Sequence, residues 1–147
     1  MMIHGEDEEI TFCRKGKGLC QAKLNDPILD MVFFKGKLYA LTQGEGLFVL
    51  IIEENKDSRP AVSTVKQMIA DSHYPSFPIL DIWGSPIVEA QYLRHYLVVS
   101  RGRLLMVRRW LDDPREVNAG DGDRTLSFEV FMVNNELVGW MEHERTV

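Results

Sequence analysis

Leu29 to Ile52 reads LDMVFFKGKLYALTQGEGLFVLII, three apolar runs separated by two short interruptions. Leu29 to Phe34 and Leu38 to Thr42 flank Lys35-Gly36, and Leu47 to Ile52 follows Gly44-Glu45-Gly46. Each gap is short enough for an antiparallel hairpin. A two-residue turn that follows the twist of a sheet needs positive φ, which a residue without Cβ adopts at almost no cost. The stretch is therefore expected to be a strand meander. The same pattern returns in His95 to Trp110, HYLVVSRGRLLMVRRW, with Arg101-Gly102 standing where Lys35-Gly36 stood.

Working outward, Ile10 to Arg14 and Leu19 to Leu24 surround Lys15-Gly16-Lys17-Gly18 and read as a weaker hairpin, half of a repeating unit. Asn25-Asp26-Pro27 breaks the chain, since proline donates nothing to a ladder and pushes its predecessor out of helical space. Glu53 to Pro60 is a polar loop without periodicity. Ala61 to Ile69 is expected to be a fourth strand from its β-branched Val62, Thr64 and Val65. A helix from Val65 to Ala70 competes, because Met68 and Ile69 lie three and four residues beyond Val65. Asp71 to Pro86 is a connector with Pro75, Pro78 and Pro86, whose Tyr74, Phe77, Ile79, Ile82 and Trp83 are expected to be partly buried. A second meander starts near Gln91. It passes through the loop-like Leu111 to Leu126 and ends in two strands around Asn134-Asn135-Glu136, a turn whose residues tolerate left-handed geometry.

The fold expected from this pattern is all-β: a partial β-propeller of about two and a half four-stranded antiparallel blades, with units at 10–24, 29–69 and 91–142. A two-sheet sandwich fits the strand count almost as well. The spacing between Gly36 and Gly102 exceeds the roughly 40 to 50 residues of common propeller repeats, and the connector and the acidic loop absorb the excess. Residues 1–9 are expected to be a disordered acidic tail preceding a single propeller-like domain, 10–147. The two meanders are expected to pack face to face.

With 147 residues, a formal charge of -5 and 45% hydrophobic residues, the chain is long and apolar enough for a real core. The acidic balance argues against a nucleic-acid partner, because the only dense basic cluster is Arg101, Arg103, Arg108 and Arg109. The N-terminus carries Glu6, Asp7, Glu8 and Glu9 where a secretory signal needs a basic then an apolar segment. No membrane partner is expected either, since the longest apolar run, Leu47 to Ile52, is far short of the ~20 residues that cross a bilayer. Cys13 and Cys20 cannot build a disulfide framework, which favours an intracellular, reduced setting.

A search for chemistry returns nothing with the required spacing. Gly84-Ser85-Pro86 puts proline where a nucleophile elbow must open into a helix. The three G-x-G pairs lack the third glycine or the following Lys-Ser/Thr of a phosphate loop. Asp121-Gly122-Asp123 begins like a calcium loop, but Leu126 and Met132 fall where glycine and glutamate are required. His4, His73, His95 and His143 show no zinc spacing. No enzyme activity, cofactor or metal is expected. Binding is a better prospect: Arg and Trp are enriched at hot spots, and Arg108, Arg109 and Trp110 lead into the longest loop. Alternation sets Arg109 on the face opposite Arg108 and Trp110. Arg108, Trp110, Asp112 and Asp113 are the candidate partner-binding residues, although an edge of a blade with a tryptophan capping the core is the simpler explanation of the first two.

Taken together, DMVFFKGKLYALT followed by GLFVL, then PAVSTVKQMI, YLVVSRGRLLMVRRW and FEVFMVN with a tryptophan after it, resemble the plant F-box-associated β-propeller family. That family comprises domains of unknown function related to kelch-type propellers and to F-box regulators of brassinosteroid signalling. The likeness runs from about Ile10 to Glu142. It implies an intracellular interaction module, cytoplasmic or nuclear, which in longer relatives follows an F-box and presents a target protein to a ubiquitin ligase. Three departures accompany it. No F-box precedes the propeller segment; a tryptophan usual in the first half-unit is replaced near Cys20; and about two and a half blades stand where closed propellers use four to eight. A truncated, non-ligase relative is therefore expected, with self-association through uncovered blade faces. A small-molecule or sugar-binding β domain is the alternative.

Overall fold

The computed structural model describes residues 2–6, 9–13, 19–24, 26–70, 79–80, 83, 86–87, 93–111, 125–134 and 139–146. Regular structure among them is entirely β. The chain forms two compact units, Met1–Asp71 and Ser72–Val147, and their boundary falls where the connector begins. The sequence reading places both units in one propeller-like domain, 10–147. Meanders pair neighbouring strands, so most contacts stay within each unit.

In the first unit β1 (Met2–Glu6), β2 (Glu9–Cys13) and β3 (Leu19–Lys23) form a three-stranded sheet in chain order. β4 (Ile28–Phe34), β5 (Lys37–Thr42), β6 (Leu47–Glu54) and β7 (Pro60–Ile69) form a four-stranded one. The second unit has a short ladder of β8 (Ile79–Leu80) with β9 (Pro86–Ile87). It also holds a second four-stranded sheet of β10 (Leu93–Ser100), β11 (Arg103–Leu111), β12 (Thr125–Asn134) and β13 (Gly139–Thr146). Every pairing is antiparallel. The two four-stranded sheets run over 28–69 and 93–146, where the sequence units were read at 29–69 and 91–142.

The paired glycine turns form as expected. Lys35 and Gly36 have φ of 48° and 76°, and Arg101 and Gly102 have φ of 50° and 71°. Both central residues of each turn are left-handed, the geometry whose twist matches the flanking strands. Each turn closes its ladder at once, Phe34 opposite Lys37 and Ser100 opposite Arg103. The Gly44-Glu45-Gly46 turn is built differently, because Glu45 and not a glycine carries the positive φ, 63°. The Glu45 amide donates to the Thr42 carbonyl at 2.9 Å, and the Thr42 amide donates to the Gly46 carbonyl at 3.0 Å, which defines a three-residue loop ending in a left-handed residue. Asp26 braces it from outside, its Oδ2 accepting from the Gly44 amide at 3.3 Å, while the Gln43 amide donates to the Pro27 carbonyl at 2.9 Å.

The core of the first unit lies between its two sheets. Ile10 and Leu24 pack with Leu38, Ala40 and Leu50, and Ala22, Met31, Phe48 and Ile52 border them. β5 is buried at every position from Leu38 to Thr42, so both its faces are covered. That is the behaviour of a strand inside a stack and not of a sheet with one wet face.

Several expectations are corrected. Residues 1–9, read as disordered, include β1, which pairs with β2 from Met2 opposite Cys13 to Glu6 opposite Glu9. A ladder is made by backbone groups, so acidic side chains near the turn do not prevent it. The helix from Val65 to Ala70 does not form. Within that stretch a register shift at Leu47/Phe48 skips Met68 and resets the strand alternation, and a second shift, at Ile51/Ile52, skips Ser63 just before it. Trp83 of the connector is 83% exposed, not partly buried, because it stands in the turn between β8 and β9. Tyr74, Phe77, Ile82, the Lys15 to Gly18 turn and most of the Asn134-Asn135-Glu136 turn lie outside the described residues. Among the described residues no helix is long and apolar enough to cross a membrane.

A Cβ added at Gly36 meets nothing within 4 Å, so Gly36→Ala is expected to lower stability only by the left-handed strain, about 1 kcal/mol. Lys35→Asn, which tolerates that conformation, should raise stability by roughly 0.5 kcal/mol. Urea unfolding midpoints of the two variants check both signs. A Gly36→Ala loss several times larger would mean that the turn is crowded.

Candidate functional site

Alternation along β11 places Arg108 and Trp110 on one side of the sheet and Arg109 on the other, as the sequence indicated. The register sets Arg108 opposite Glu129. On that side the Trp110 indole N–H donates to Glu129 Oε1, and Arg108 Nη1 lies 3.7 Å from Glu129 Oε2. The Arg108 guanidinium stacks over the Phe131 ring, 4.3 Å from its centroid. Glu129 is buried and the Arg108 side chain nearly so. A carboxylate withdrawn from water needs donors on its oxygens, and this one takes one from the indole and the guanidinium charge beside the other. Arg109, across the sheet, donates through Nε to Thr125 Oγ1 at 2.8 Å.

Arg108 and Trp110 are therefore joined in one constellation whose inward partner, Glu129, sequence reasoning missed. In FEVFMVN the charge of Glu129 falls in phase with Phe131 on a strand, and a charge in an apolar phase points to a buried partner. β11 lies between β10 and β12, so Arg108 and Trp110 stand on an inner strand and not at an edge of the sheet, both engaged with Glu129. Asp112 and Asp113 lie outside the described residues.

The polar segment read as a loop over Glu53 to Pro60 is shorter in the structure: β6 runs to Glu54 and β7 starts at Pro60, which leaves Asn55 to Arg59 as the exposed loop between them. Asn55 organises it. Its Oδ1 accepts from the amides of Asp57 and Arg59, both at 3.0 Å, its own amide donates to the Arg59 carbonyl at 2.8 Å, and its carbonyl accepts from the Ser58 amide at 2.9 Å. Ser58 takes the left-handed conformation, φ 57°, that the reversal requires. A side chain that mimics a backbone turn in this way is a known use of asparagine. Glu53, Glu54, Lys56, Asp57 and Arg59 are all exposed around it, so the loop offers charges of both signs from a braced frame. Trp83 is a second exposed anchor of the kind enriched at hot spots.

Among the described residues no group of three or more His, Cys, Asp or Glu stands close enough to hold a metal ion. A family model, the KIB1-4 beta-propeller, matches residues 1–145. The chain belongs to this family. The match reaches past both ends of the stretch that carried the resemblance and takes in β1 and nearly all of β13. Membership in the KIB1-4 beta-propeller family agrees with the four-stranded antiparallel sheets and suits a protein-interaction module. No curated protein and no solved structure matches the chain.

Trp110→Phe and Glu129→Gln are expected to destabilise by about 1 to 2 kcal/mol each and to be non-additive by at least about 0.5 kcal/mol when combined, because both break the same contact. A double-mutant cycle in urea measures the coupling, and strict additivity would dissolve the constellation. Asn55→Ala is expected to leave the unfolding midpoint nearly unchanged while speeding amide exchange at Asp57 and Arg59 by about tenfold. Equal protection of those two amides in both proteins would show that Asn55 does not hold the loop.

Proposed function

We propose that this protein recognises another protein and acts as a substrate-receptor-like relative of plant F-box propellers, without catalytic chemistry of its own. In the longer relatives that the resemblance implies, an F-box links such a propeller to a ubiquitin ligase. In this reading the chain engages the same class of target, either to deliver it or to compete for it. The setting is intracellular, cytoplasmic or nuclear, with neither nucleic acid nor membrane as partner. Self-association through uncovered sheet faces belongs to the same reading.

The observation that carries it is the Asn55-braced loop. Binding residues concentrate on loops held by a rigid scaffold, and a loop already fixed before binding loses less conformational entropy on docking. Family membership supplies the scaffold and the loop supplies a rim. Function is argued from that site, since a propeller by itself hosts many activities.

Affinity capture from plant extract, with and without proteasome inhibition, tests the proposal when wild type is compared with Lys56→Glu/Arg59→Glu and with Trp83→Ala. Both variants alter exposed residues, so their unfolding midpoints are expected to stay within about 0.5 kcal/mol of wild type. A defined set of proteins should be retained by wild type and lost from at least one variant. If proteasome inhibition raises the yield of that set, the delivering version holds; an unchanged yield favours the competing one. Identical capture by all three proteins would remove the loop and Trp83 from the function.

A further inference from the structure

Two methionines face each other across the last pair of strands in the second unit. Met132 on β12 has Leu105 opposite it on β11 and Met141 opposite it on β13. Arg103, two residues before Leu105, is a diagonal neighbour of Met132 and within reach for a long side chain. Its Nη1 donates toward Met132 Sδ at 3.7 Å, in a contact open to solvent. The Arg101-Gly102 turn fixes that placement, because it closes the ladder with Ser100 opposite Arg103. Met141 is 43% exposed, whereas Met106, on the reverse of the same sheet, is fully buried.

Among the described residues, Arg103 has this sulfur and no carboxylate as its partner. A thioether is a weak acceptor, and a guanidinium bonds far better to a strongly polar oxygen. Oxidation supplies that oxygen at the same atom. A peroxide passes one oxygen to a lone pair of the sulfur: its O–O bond breaks, an S–O bond forms, and the other oxygen leaves as water with the proton of the first. Sulfur gives up two electrons and the peroxide takes them. Reduction by two thiols removes the oxygen again as water while the thiols close to a disulfide. A sulfoxide ordinarily disrupts a packed site by setting a polar group among apolar ones. Here a charged donor already stands beside the sulfur that would carry it.

We propose that Met132 and Met141, with Arg103, form a site of reversible methionine oxidation: a peroxide converts both thioethers to sulfoxides, and the Arg103 guanidinium holds the oxygen on Met132. The oxidised sheet then keeps its fold, and the turn before Arg103 is tied more firmly to β12. This chemistry is independent of the protein-recognition reading.

The test treats the whole chain with hydrogen peroxide. Peptide mass spectrometry over time should show Met132 and Met141 converted about tenfold faster than the buried Met106. Met141→Leu then isolates Met132. In that protein, urea unfolding before and after oxidation should give nearly the same midpoint. With Arg103→Ala added, oxidation should lower the ratio of folded to unfolded protein by about tenfold. Met132→Leu should remove this dependence on Arg103, which separates Met132 from the other methionines that oxidise. Arg103 is exposed, so R103A is expected to fold. Should it fail, NMR of wild type decides the matter, because oxidation should slow exchange of the Arg103 guanidinium protons. Met132 oxidised no faster than Met106, an oxidation cost that is equal with and without Arg103, or guanidinium exchange unchanged by oxidation overturns the proposal.

Discussion

Register is the constraint on which the rest of this structure depends. In a strand the side chain period is two, so a slip of one residue exchanges the two faces of a sheet completely. The turns at Lys35-Gly36 and Arg101-Gly102 prevent that slip by closing each hairpin on a single pair of left-handed residues. With Ser100 opposite Arg103 fixed, the ladder runs without a shift to Trp110, and Arg108 is delivered across to Glu129. A turn one residue longer would send Arg108 and Trp110 to solvent and bury Arg109, with no carboxylate waiting for it.

The polar constellation of Arg108, Trp110 and Glu129 shows how such a fold tolerates a charge inside. Glu129 sits in the apolar phase of β12, where an isolated carboxylate would be expelled or neutralised. It stays because the neighbouring strand supplies donors at the same level, and because the guanidinium itself lies over the Phe131 ring. Removing one partner from such a network leaves the buried charge uncompensated, which is costly. A strand offset by one residue would leave all the members unsatisfied together.

Much of this was legible in the chain itself, and the reasons differ by element. The glycine turns, the strands they join and the opposite facing of Arg109 follow from local rules of conformation and period, which act within a few residues. β1 was hidden because the acidic run Glu6 to Glu9 dominated the reading of the N-terminus, although the strand itself holds only one acid, Glu6. The false helix at Val65 to Ala70 spans the shift that skips Met68, which no period can reveal because it is settled by the partner strand. Glu45 in the left-handed region between two glycines was equally hidden; Asp26 and Pro27, many residues upstream, help to hold that loop. Of the site, Arg108 and Trp110 were visible by residue type. Their joint attachment to Glu129 required the β11 to β12 register, and the braced loop required the bonds of Asn55.

The two irregularities in β7 have a bearing on solubility. β7 closes the order of its sheet, and its middle, Ser63 to Gln67, is exposed throughout. A straight rim of that length would invite foreign chains to zip on, the way fibrils recruit their next layer. Here the rim is bent twice, and at one bend the Ser63 hydroxyl donates to the Ile51 carbonyl at 3.2 Å. A crooked border with Lys66 on it is a poor template, so a foreign strand finds no straight run of free backbone to pair with along this margin.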